Sequence, residues 1–131
     1  PIQWNQNENA GFTSGTPWID LPKNIDTINV EDAISNKDSV LHVYRQLIKL
    51  RHHYDIITYG DIEPLYMDHP QLFIYRRNYK NDSWLIIANF SNETVRIPDD
   101  LDIVGDIIIQ SGTILDNKIS PYGAIVISKS Y

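Results

Sequence analysis

The clearest hydrophobic pattern lies in the middle of the chain and predicts an amphipathic helix that begins at Asp38. Its apolar positions recur every three or four residues, at Val40, Leu41, Val43, Tyr44, Leu47, Ile48 and Leu50. This is the period of an α-helix with one buried face. Basic residues gather near its end, at Arg51 to His53, where they suit the negative C-terminal end of a helix.

A shorter helix is predicted just before this one. Asn29 can cap a helix N-terminus, and Asp32, three residues on, can reach back to it as the acidic partner of a capping box does. The pattern places this helix from about Val30 to Ser35 and ends it at the polar pair Asn36-Lys37.

From about Tyr59 onward the pattern changes to short β-branched and aromatic runs separated by Pro, Gly, Asn and Asp. The predicted strands are 61–66, 71–79, 83–90, 94–97, 106–110 and 124–128, with 113–115 as a further candidate. Short strands at regular spacing, with no helix between them, indicate an antiparallel sandwich. We therefore predict a mainly β fold with a C-terminal antiparallel β-sandwich of the Greek-key type, preceded by a loop and one or two helices.

Two of these strands have a more definite place. The run 83–90 is apolar on both alternations except at Asn89, which predicts a central strand. With 71–79 it forms a predicted hairpin across the loop Lys80-Asn81-Asp82. Asp61 and Glu63 are predicted on an edge strand.

The first eighteen residues, PIQWNQNENAGFTSGTPW, show neither the helical period nor the alternation of a strand. They combine two tryptophans and a phenylalanine with amides, glycines and prolines, which is typical of an irregular, constrained loop. Loops of this kind carry binding sites when a rigid scaffold holds them. We expect that scaffold to lie outside this chain.

Four segments, in this order, resemble the α-glucosidases of the α-amylase family, glycoside hydrolase family 13. They are PIQW with NAGFTSGTPW, INVEDAI, DSVLHVYRQLIKLRHHYDIITYGD and ANFS. The resemblance is to the branch of oligo-1,6-glucosidases, isomaltases, dextran glucosidases and trehalose-6-phosphate hydrolases. That branch commonly has Arg-x-Pro-Met-Gln-Trp in the first segment, whereas this chain has Ile2 in place of the methionine and begins at the proline.

The resemblance implies the C-terminal part of a larger enzyme. Residues 1–58 would be the tail of its catalytic (β/α)₈ barrel, and residues 59–131 a C-terminal β-sandwich domain. The parent would hydrolyse terminal α-glucosidic bonds of short oligosaccharides with retention, and trehalose-6-phosphate hydrolase is the alternative parent. The family's catalytic carboxylates precede the matching segments, so no catalytic residue is assigned here and the isolated chain is expected to be inactive.

The resemblance also implies a position for the N-terminal loop, because barrel active sites are built from the loops at the C-terminal ends of the strands. Gln3, Trp4, Asn9 and Phe12 would lie near a sugar subsite or brace the loops that do. The alternative, which we favour, is that Trp4 and Trp18 are wedges that fix the loop, since aromatic residues fill gaps more often than they stack on sugars.

The composition of the chain limits the classes of molecule that it could bind. The net charge is −6, from 11 basic and 17 acidic residues, which argues against nucleic acid and anionic membranes as partners. The chain has no cysteine, which excludes disulfides and cysteine-based zinc sites and fits a reducing cytoplasm. No apolar run approaches the roughly 18 residues of a membrane helix.

Candidate chemistry within the chain has ordinary explanations. The acidic pairs fall in a first helical turn, at Glu31 and Asp32, in a turn after a proline, at Asp99 and Asp100, and on the predicted edge strand. The four histidines lack the spacing of metal ligands, so we interpret them as solvated side chains and expect no metal or cofactor. The Asn-x-Ser/Thr sequons at Asn81, Asn89 and Asn92 we attribute to chance, because Asn89 ends a buried strand.

A second function from a different class stays open, namely a stand-alone carbohydrate-binding or scaffolding sandwich. Its aromatic platform would come from Trp84, Tyr66, Tyr75 and Tyr79. Without a barrel, the apolar surface around Tyr44, Leu47, Ile48 and Trp4 lacks cover. We expect the chain either to self-associate through that surface or to fold the helix back on the sandwich.

Overall fold

The computed structural model describes residues 1–130 and comprises two compact units, which meet between His53 and Tyr54. The first unit contains a tight turn, Glu8–Gly11, and two helices, α1 (Val30–Ser35) and α2 (Val40–His53). The second contains a short helix, α3 (Asp55–Tyr59), and eight strands within the described residues. They are β1 (Asp61–Leu65), β2 (Leu72–Tyr79), β3 (Asp82–Asn89), β4 (Val95–Arg96), β5 (Asp106–Ser111), β6 (Ile114–Leu115), β7 (Lys118–Ile119) and β8 (Ala124–Ser130).

Helix α1 has the predicted bounds and the predicted cap. The Asn29 side chain accepts a hydrogen bond from the Asp32 N–H at 2.9 Å, which satisfies a donor that the helix itself cannot. Asp32 also reaches back, but its carboxylate accepts from the Asn29 side-chain amide, at 2.6 Å, rather than from the backbone as in a capping box. Sequence and structure therefore agree on this element.

Helix α2 begins at Val40, two residues later than predicted, and keeps its apolar stripe. In this chain no residue of α2 is buried, and Tyr44, Leu47 and Ile48 are exposed. The amphipathic helix is confirmed, while the burial that its period predicts is not made by the residues described. No helix among residues 1–130 is long and apolar enough to cross a membrane.

The larger sheet of the second unit has five antiparallel strands in the order β1-β2-β3-β8-β5. Strand β3 is central, as its double-sided apolar pattern predicts, and β1 is an edge strand, the position in a sheet where a proline such as Pro64 is tolerated. The β2–β3 hairpin is tighter than predicted. Tyr79 pairs with Asp82, so the loop has two residues rather than three, and Lys80 takes a positive φ of 54°.

A smaller sheet, β4-β7-β6, covers one face of the larger one. Strand β7 is absent from the sequence prediction because two residues carry no pattern of their own. Between the sheets lies an apolar core of alternating strand positions and loop residues. Its buried members are Leu72, Ile74, Leu85, Ile87, Val95, Ile97, Leu101, Ile119, Ile125 and Ile127. The mainly β, antiparallel, sandwich-like fold is confirmed, and the Greek-key connection stays a prediction.

Helix α3, which the sequence analysis misses, packs on the opposite face of the larger sheet. Trp84 points to that face and lies edge-on to Tyr54, with 4.9 Å between ring centroids. The Arg77 guanidinium donates to the carbonyl oxygens of Ile56, at 2.9 Å, and Gly60, at 2.7 Å. These contacts join α3 to the second unit. The predicted domains, 1–58 and 59–131, refer to a longer enzyme and stay a prediction.

Candidate functional site

The N-terminal loop is built on three consecutive residues with left-handed backbone. Asn9, Ala10 and Gly11 have φ of 54°, 55° and 65°. Such a backbone is strained at Ala10, and strain of this kind persists where the surroundings fix it. Here the buried Ala10 carbonyl accepts from the N–H groups of Trp4, at 2.9 Å, and Asn5, at 3.3 Å, and closes the loop.

Gly11 and Asn9 complete this turn in different ways. Gly11 suits its left-handed φ, and a Cβ there would lie 2.7 Å from the Asn5 side-chain oxygen, so a substitution would also displace the Asn5 side chain. The Asn9 side-chain amide donates to the carbonyl oxygens of Thr13, at 3.2 Å, and Gly15, at 3.1 Å. The half-buried Asn9 therefore fixes the path of the chain that follows Phe12.

Helix α1 anchors the other end of the loop. The backbone N–H groups of Val30 and Glu31 donate to the carbonyl oxygens of Gln3 and Trp4, each at 2.9 Å. These are donors of a first helical turn, which have no partner inside the helix. The loop backbone thus supplies what the helix lacks, and the helix fixes Gln3 and Trp4 in return.

Side-chain amides add a second set of bonds. Gln3 donates to the Asn24 side-chain oxygen at 2.9 Å, while Gln6 donates to the Asp26 carbonyl oxygen, at 3.1 Å, and to the Asp32 carboxylate, at 3.3 Å. From the sequence, Asp32 is predicted only as a partner of the Asn29 cap. A bond between residues 26 positions apart leaves no local pattern through which it could be predicted.

The four residues expected near a sugar subsite share this one loop but present different surfaces. Trp4 is 47% exposed and Phe12 is 48% exposed, and aromatic faces of this kind can stack on the apolar C–H surface of a sugar. The amide groups of Gln3 and Asn9 have partners inside the loop. Trp18 is 93% exposed, so the interpretation of Trp18 as a wedge that fixes the loop is wrong for this chain.

The carboxylates have structural partners rather than one another. Asp99 pairs with Arg96, at 2.6 Å, and also accepts from Asn117. The hydrogen bond from Arg96, and then that from Asn117, lower the pKa of Asp99, the opposite of what a proton donor needs. Glu63 pairs with Arg76 across β1 and β2, at 3.4 Å.

Two of the histidines have backbone partners, which corrects their interpretation as solvated side chains. His42 Nε2 lies 2.9 Å from the Ile34 carbonyl oxygen. His69 Nδ1 accepts from the N–H groups of Gln71, at 3.2 Å, and Leu72, at 2.9 Å, where β2 begins. Within residues 1–130, no three acidic or histidine side chains come together in a way that could hold a metal ion.

Comparison with known proteins identifies the family. Residues 1–60 match the family description "Alpha amylase, catalytic domain". The chain belongs to the α-amylase family, glycoside hydrolase family 13. The oligo-1,6-glucosidase of Heyndrickxia coagulans is 45% identical over 102 residues, which are 76% of this chain and 18% of that protein. The trehalose-6-phosphate hydrolase of Escherichia coli K12 is 45% identical over 93 residues, 71% of this chain and 17% of that protein.

Solved structures of this α-amylase family include close neighbours of the whole described fold. The trehalose-6-phosphate hydrolase of Bacillus licheniformis superposes with a TM-score of 0.87 at 39% identity, covering 100% of this chain and 25% of that one. The chain therefore spans between about a sixth and a quarter of the relatives it matches.

Proposed function

We propose that this chain is the C-terminal part of an α-glucosidase of the oligo-1,6-glucosidase branch. The parent would hydrolyse terminal α-glucosidic bonds of short oligosaccharides with retention of configuration. The similarity to oligo-1,6-glucosidases supports this substrate class, since it covers the loop, both longer helical segments and much of the sheet. The absence of cysteine from the chain fits a cytoplasmic enzyme.

In this proposal the loop of the first unit borders the sugar site. The observation that carries it is a pair of half-exposed aromatic side chains, Trp4 and Phe12, on a backbone that is fixed at both ends by hydrogen bonds. A sugar-binding surface needs aromatic area that does not have to be ordered again at each binding event. Gln3 and Asn9 then act by bracing this surface, because their amide groups are engaged within the loop.

The catalytic carboxylates come from elsewhere in the parent. A retaining pair stands about 5–5.5 Å apart, one member as nucleophile and one as acid/base. Asp32 belongs to the cap of α1, and Asp99 and Glu63 form ion pairs with arginines. Glu31 lies in the first turn of α1, and none of these carboxylates is assigned a catalytic role. The chain on its own is therefore expected to be inactive.

The second task of the chain is to cover, and be covered by, the parent's catalytic barrel. The apolar stripe of α2, including Tyr44, Leu47 and Ile48, is a helix face that stable proteins bury. The face of the larger sheet opposite its core also exposes the rings of Phe73 and Phe90. The ring centroid of Phe73 lies 5.3 Å from that of Tyr75 and 6.2 Å from that of Phe90, so the rings form one apolar patch. Without the barrel, self-association of the chain through the α2 stripe is the expected consequence.

Trehalose 6-phosphate is the alternative substrate. Relatives with trehalose-6-phosphate hydrolase as their name match this chain as closely as the oligo-1,6-glucosidases do, at 45% identity in each case. The two substrates differ in their glycosidic linkage and in the phosphate group, so a direct comparison of the two activities distinguishes the parents.

A stand-alone sugar-binding sandwich has less support. Its platform would need Trp84, which is only 4% exposed and packs against Tyr54. An aromatic side chain buried on both sides cannot stack on a sugar. The scaffolding form of this alternative agrees with the buried core of the second unit.

The test uses the full-length protein that contains this chain. We expect glucose release from isomaltose to exceed hydrolysis of trehalose 6-phosphate, and the reverse order would identify the alternative parent. Trp4→Ala should raise KM for isomaltose by about tenfold, the loss expected from one stacking contact. Trp18→Ala removes the other tryptophan of the loop as a matched control. Equal effects of both variants, or no hydrolysis of either sugar, would contradict the proposal.

A further inference from the structure

We propose that Asp32 is a positioning residue, which holds the aromatic loop of residues 3–12 in its binding geometry through Gln6 and the cap of α1. This inference rests on the proposed sugar-binding role of that loop. It adds a function for a carboxylate that is too far from Trp4 and Phe12 in sequence to be recognised by pattern.

The first N–H groups of α1 find their hydrogen-bond partners outside the helix. The first four N–H groups of a helix need partners from outside its own ladder. Val30 and Glu31 donate to the loop carbonyls of Gln3 and Trp4, and Asp32 donates to the Asn29 side chain. The position of the loop is therefore set by where helix α1 begins, and Asn29 determines that.

The Asp32 carboxylate links the helix cap to the loop. Its Oδ2 atom accepts from the Asn29 side-chain amide, at 2.6 Å, and from the Gln6 side-chain amide, at 3.3 Å. One atom thus joins the residue that starts the helix to a residue inside the loop. Asn29 is buried, and bonds to an ionised acceptor are stronger than those between neutral groups. The carboxylate also lies in the first turn of α1, where the helix dipole favours a negative charge.

The loop backbone connects this bond to Trp4. Gln6 follows Trp4 by two residues, and both backbone groups of Trp4 are engaged, its N–H with the Ala10 carbonyl oxygen and its own carbonyl oxygen with the Glu31 N–H. Loss of the Asp32 carboxylate removes one of the two acceptors of the Gln6 amide, leaving the Asp26 carbonyl oxygen, and it also removes a partner of the Asn29 amide at the helix cap. The loop then loses support on the helix side while its left-handed turn stays closed. Small displacements of positioned groups are enough to reduce binding or rate.

Glu31 offers a matched control within the same helical turn. It carries the same charge beside the same helix end, so its removal reproduces the loss of the dipole interaction. Among the side-chain hydrogen bonds of residues 1–130, none joins the Glu31 carboxylate to the loop. Substitution leaves its backbone N–H, and the bond to Trp4, in place.

The experiment compares Asp32→Ala, Asp32→Asn and Glu31→Ala in the full-length protein. Hydrogen exchange of the peptides that contain residues 3–12 and 29–33 should be about tenfold faster in Asp32→Ala and unchanged in Glu31→Ala. KM for isomaltose should rise about three- to tenfold in Asp32→Ala with kcat little changed. Asp32→Asn keeps an acceptor oxygen, so its exchange rate and its KM should both be close to those of the wild-type protein.

Two outcomes overturn the inference. One is unchanged exchange in Asp32→Ala, and the other is the same acceleration in Glu31→Ala, which would assign the effect to helix charge. Should Asp32→Ala fail to fold, Gln6→Ala removes the exposed partner instead, and unchanged exchange there has the same meaning. A wild-type protein that hydrolyses no sugar refutes the proposed function, while the exchange comparison still decides whether Asp32 holds the loop.

Discussion

The two units are stabilised by different interactions. In the second unit, ten buried apolar side chains form a continuous core between two sheets. In the first, Ala10 is the one buried apolar residue among residues 1–53, and order comes from amide side chains, helix caps and backbone hydrogen bonds. Apolar burial is the dominant favourable term in folding, whereas single hydrogen bonds contribute little net stability. The sandwich therefore has its own source of stability, whereas the loop-helix unit needs further apolar cover.

The largest expected effect is on the core of the second unit. Ile87→Ala removes a fully buried side chain and should cost about 2–5 kcal/mol of unfolding free energy. In the monomeric 131-residue chain, below the concentration at which it self-associates, Leu47→Ala on the exposed stripe of α2 should cost less than about 0.5 kcal/mol. Urea unfolding followed by circular dichroism measures both.

The same pair sharpens the comparison in the full-length protein. If the parent's barrel covers α2, Leu47→Ala should there cost about 2 kcal/mol or more, as a buried leucine does. A cost that stays below about 0.5 kcal/mol in both proteins would show that the stripe is left uncovered. A large cost in the 131-residue chain alone would contradict the contrast between the units.

These differences explain which parts of the structure the sequence predicts. Helix α1 and the central place of β3 follow from local signals, the Asn29 cap and a double-sided apolar run. Helix α3 does not, because it has five residues and depends on contacts of Arg77 and Trp84 from distant strands. Strand β7 has two residues and exists through its pairing partners.

The candidate site likewise has residues that the sequence predicts and residues that it does not. Its aromatic members, Trp4 and Phe12, are recognisable by composition, since aromatics among amides and glycines are typical of binding loops. The bond between Gln6 and Asp32 joins residues far apart in the sequence. The left-handed conformation of Ala10 is also hidden, because alanine is not a residue that such a backbone favours.

The next largest effect on the free energy of unfolding is expected at a buried polar residue. Asn89 is 3% exposed, and its amide donates to the carbonyl oxygens of Glu93, at 2.7 Å, and Ser120, at 2.9 Å. Asn89→Ala leaves these groups without their partner and should cost about 1–3 kcal/mol in urea unfolding. Asn92→Ala, at the exposed sequon nearby, should be close to neutral. Equal costs would mean that the Asn89 bonds are replaced by water.

The cap of the first unit gives a smaller effect. Asn29→Ala removes the acceptor of the Asp32 N–H and should destabilise α1 by about 1 kcal/mol, the usual value for a lost N-cap. Asn29→Ser keeps a capping oxygen and should recover most of this loss. Amide exchange at Asp32 and Ala33 measures the change locally, and identical exchange in the two variants would show that the cap does not stabilise the helix.

The smallest effect concerns acid stability. Hydrogen bonds from Arg96 and Asn117 lower the pKa of Asp99, and those from Lys129 and the Val104 N–H lower the pKa of Asp102. A lowered pKa in the folded state stabilises the fold above the ordinary value of 3.8, and this contribution is lost as the pH falls through the lower folded pKa. Both carboxylates are exposed, so each contribution is small.

Thermal unfolding between pH 5 and pH 2 tests this in the second unit. Asp102→Asn should lower the unfolding temperature slightly near pH 5 and flatten its decline toward pH 2, because the variant has no proton to gain there. Glu93→Gln changes the charge equally at a carboxylate whose side chain accepts from the Gln71 amide rather than from a basic residue. If Asp102→Asn keeps the acid slope of the unsubstituted chain, as Glu93→Gln should, the ion pair of Asp102 with Lys129 does not contribute to the acid sensitivity of the second unit.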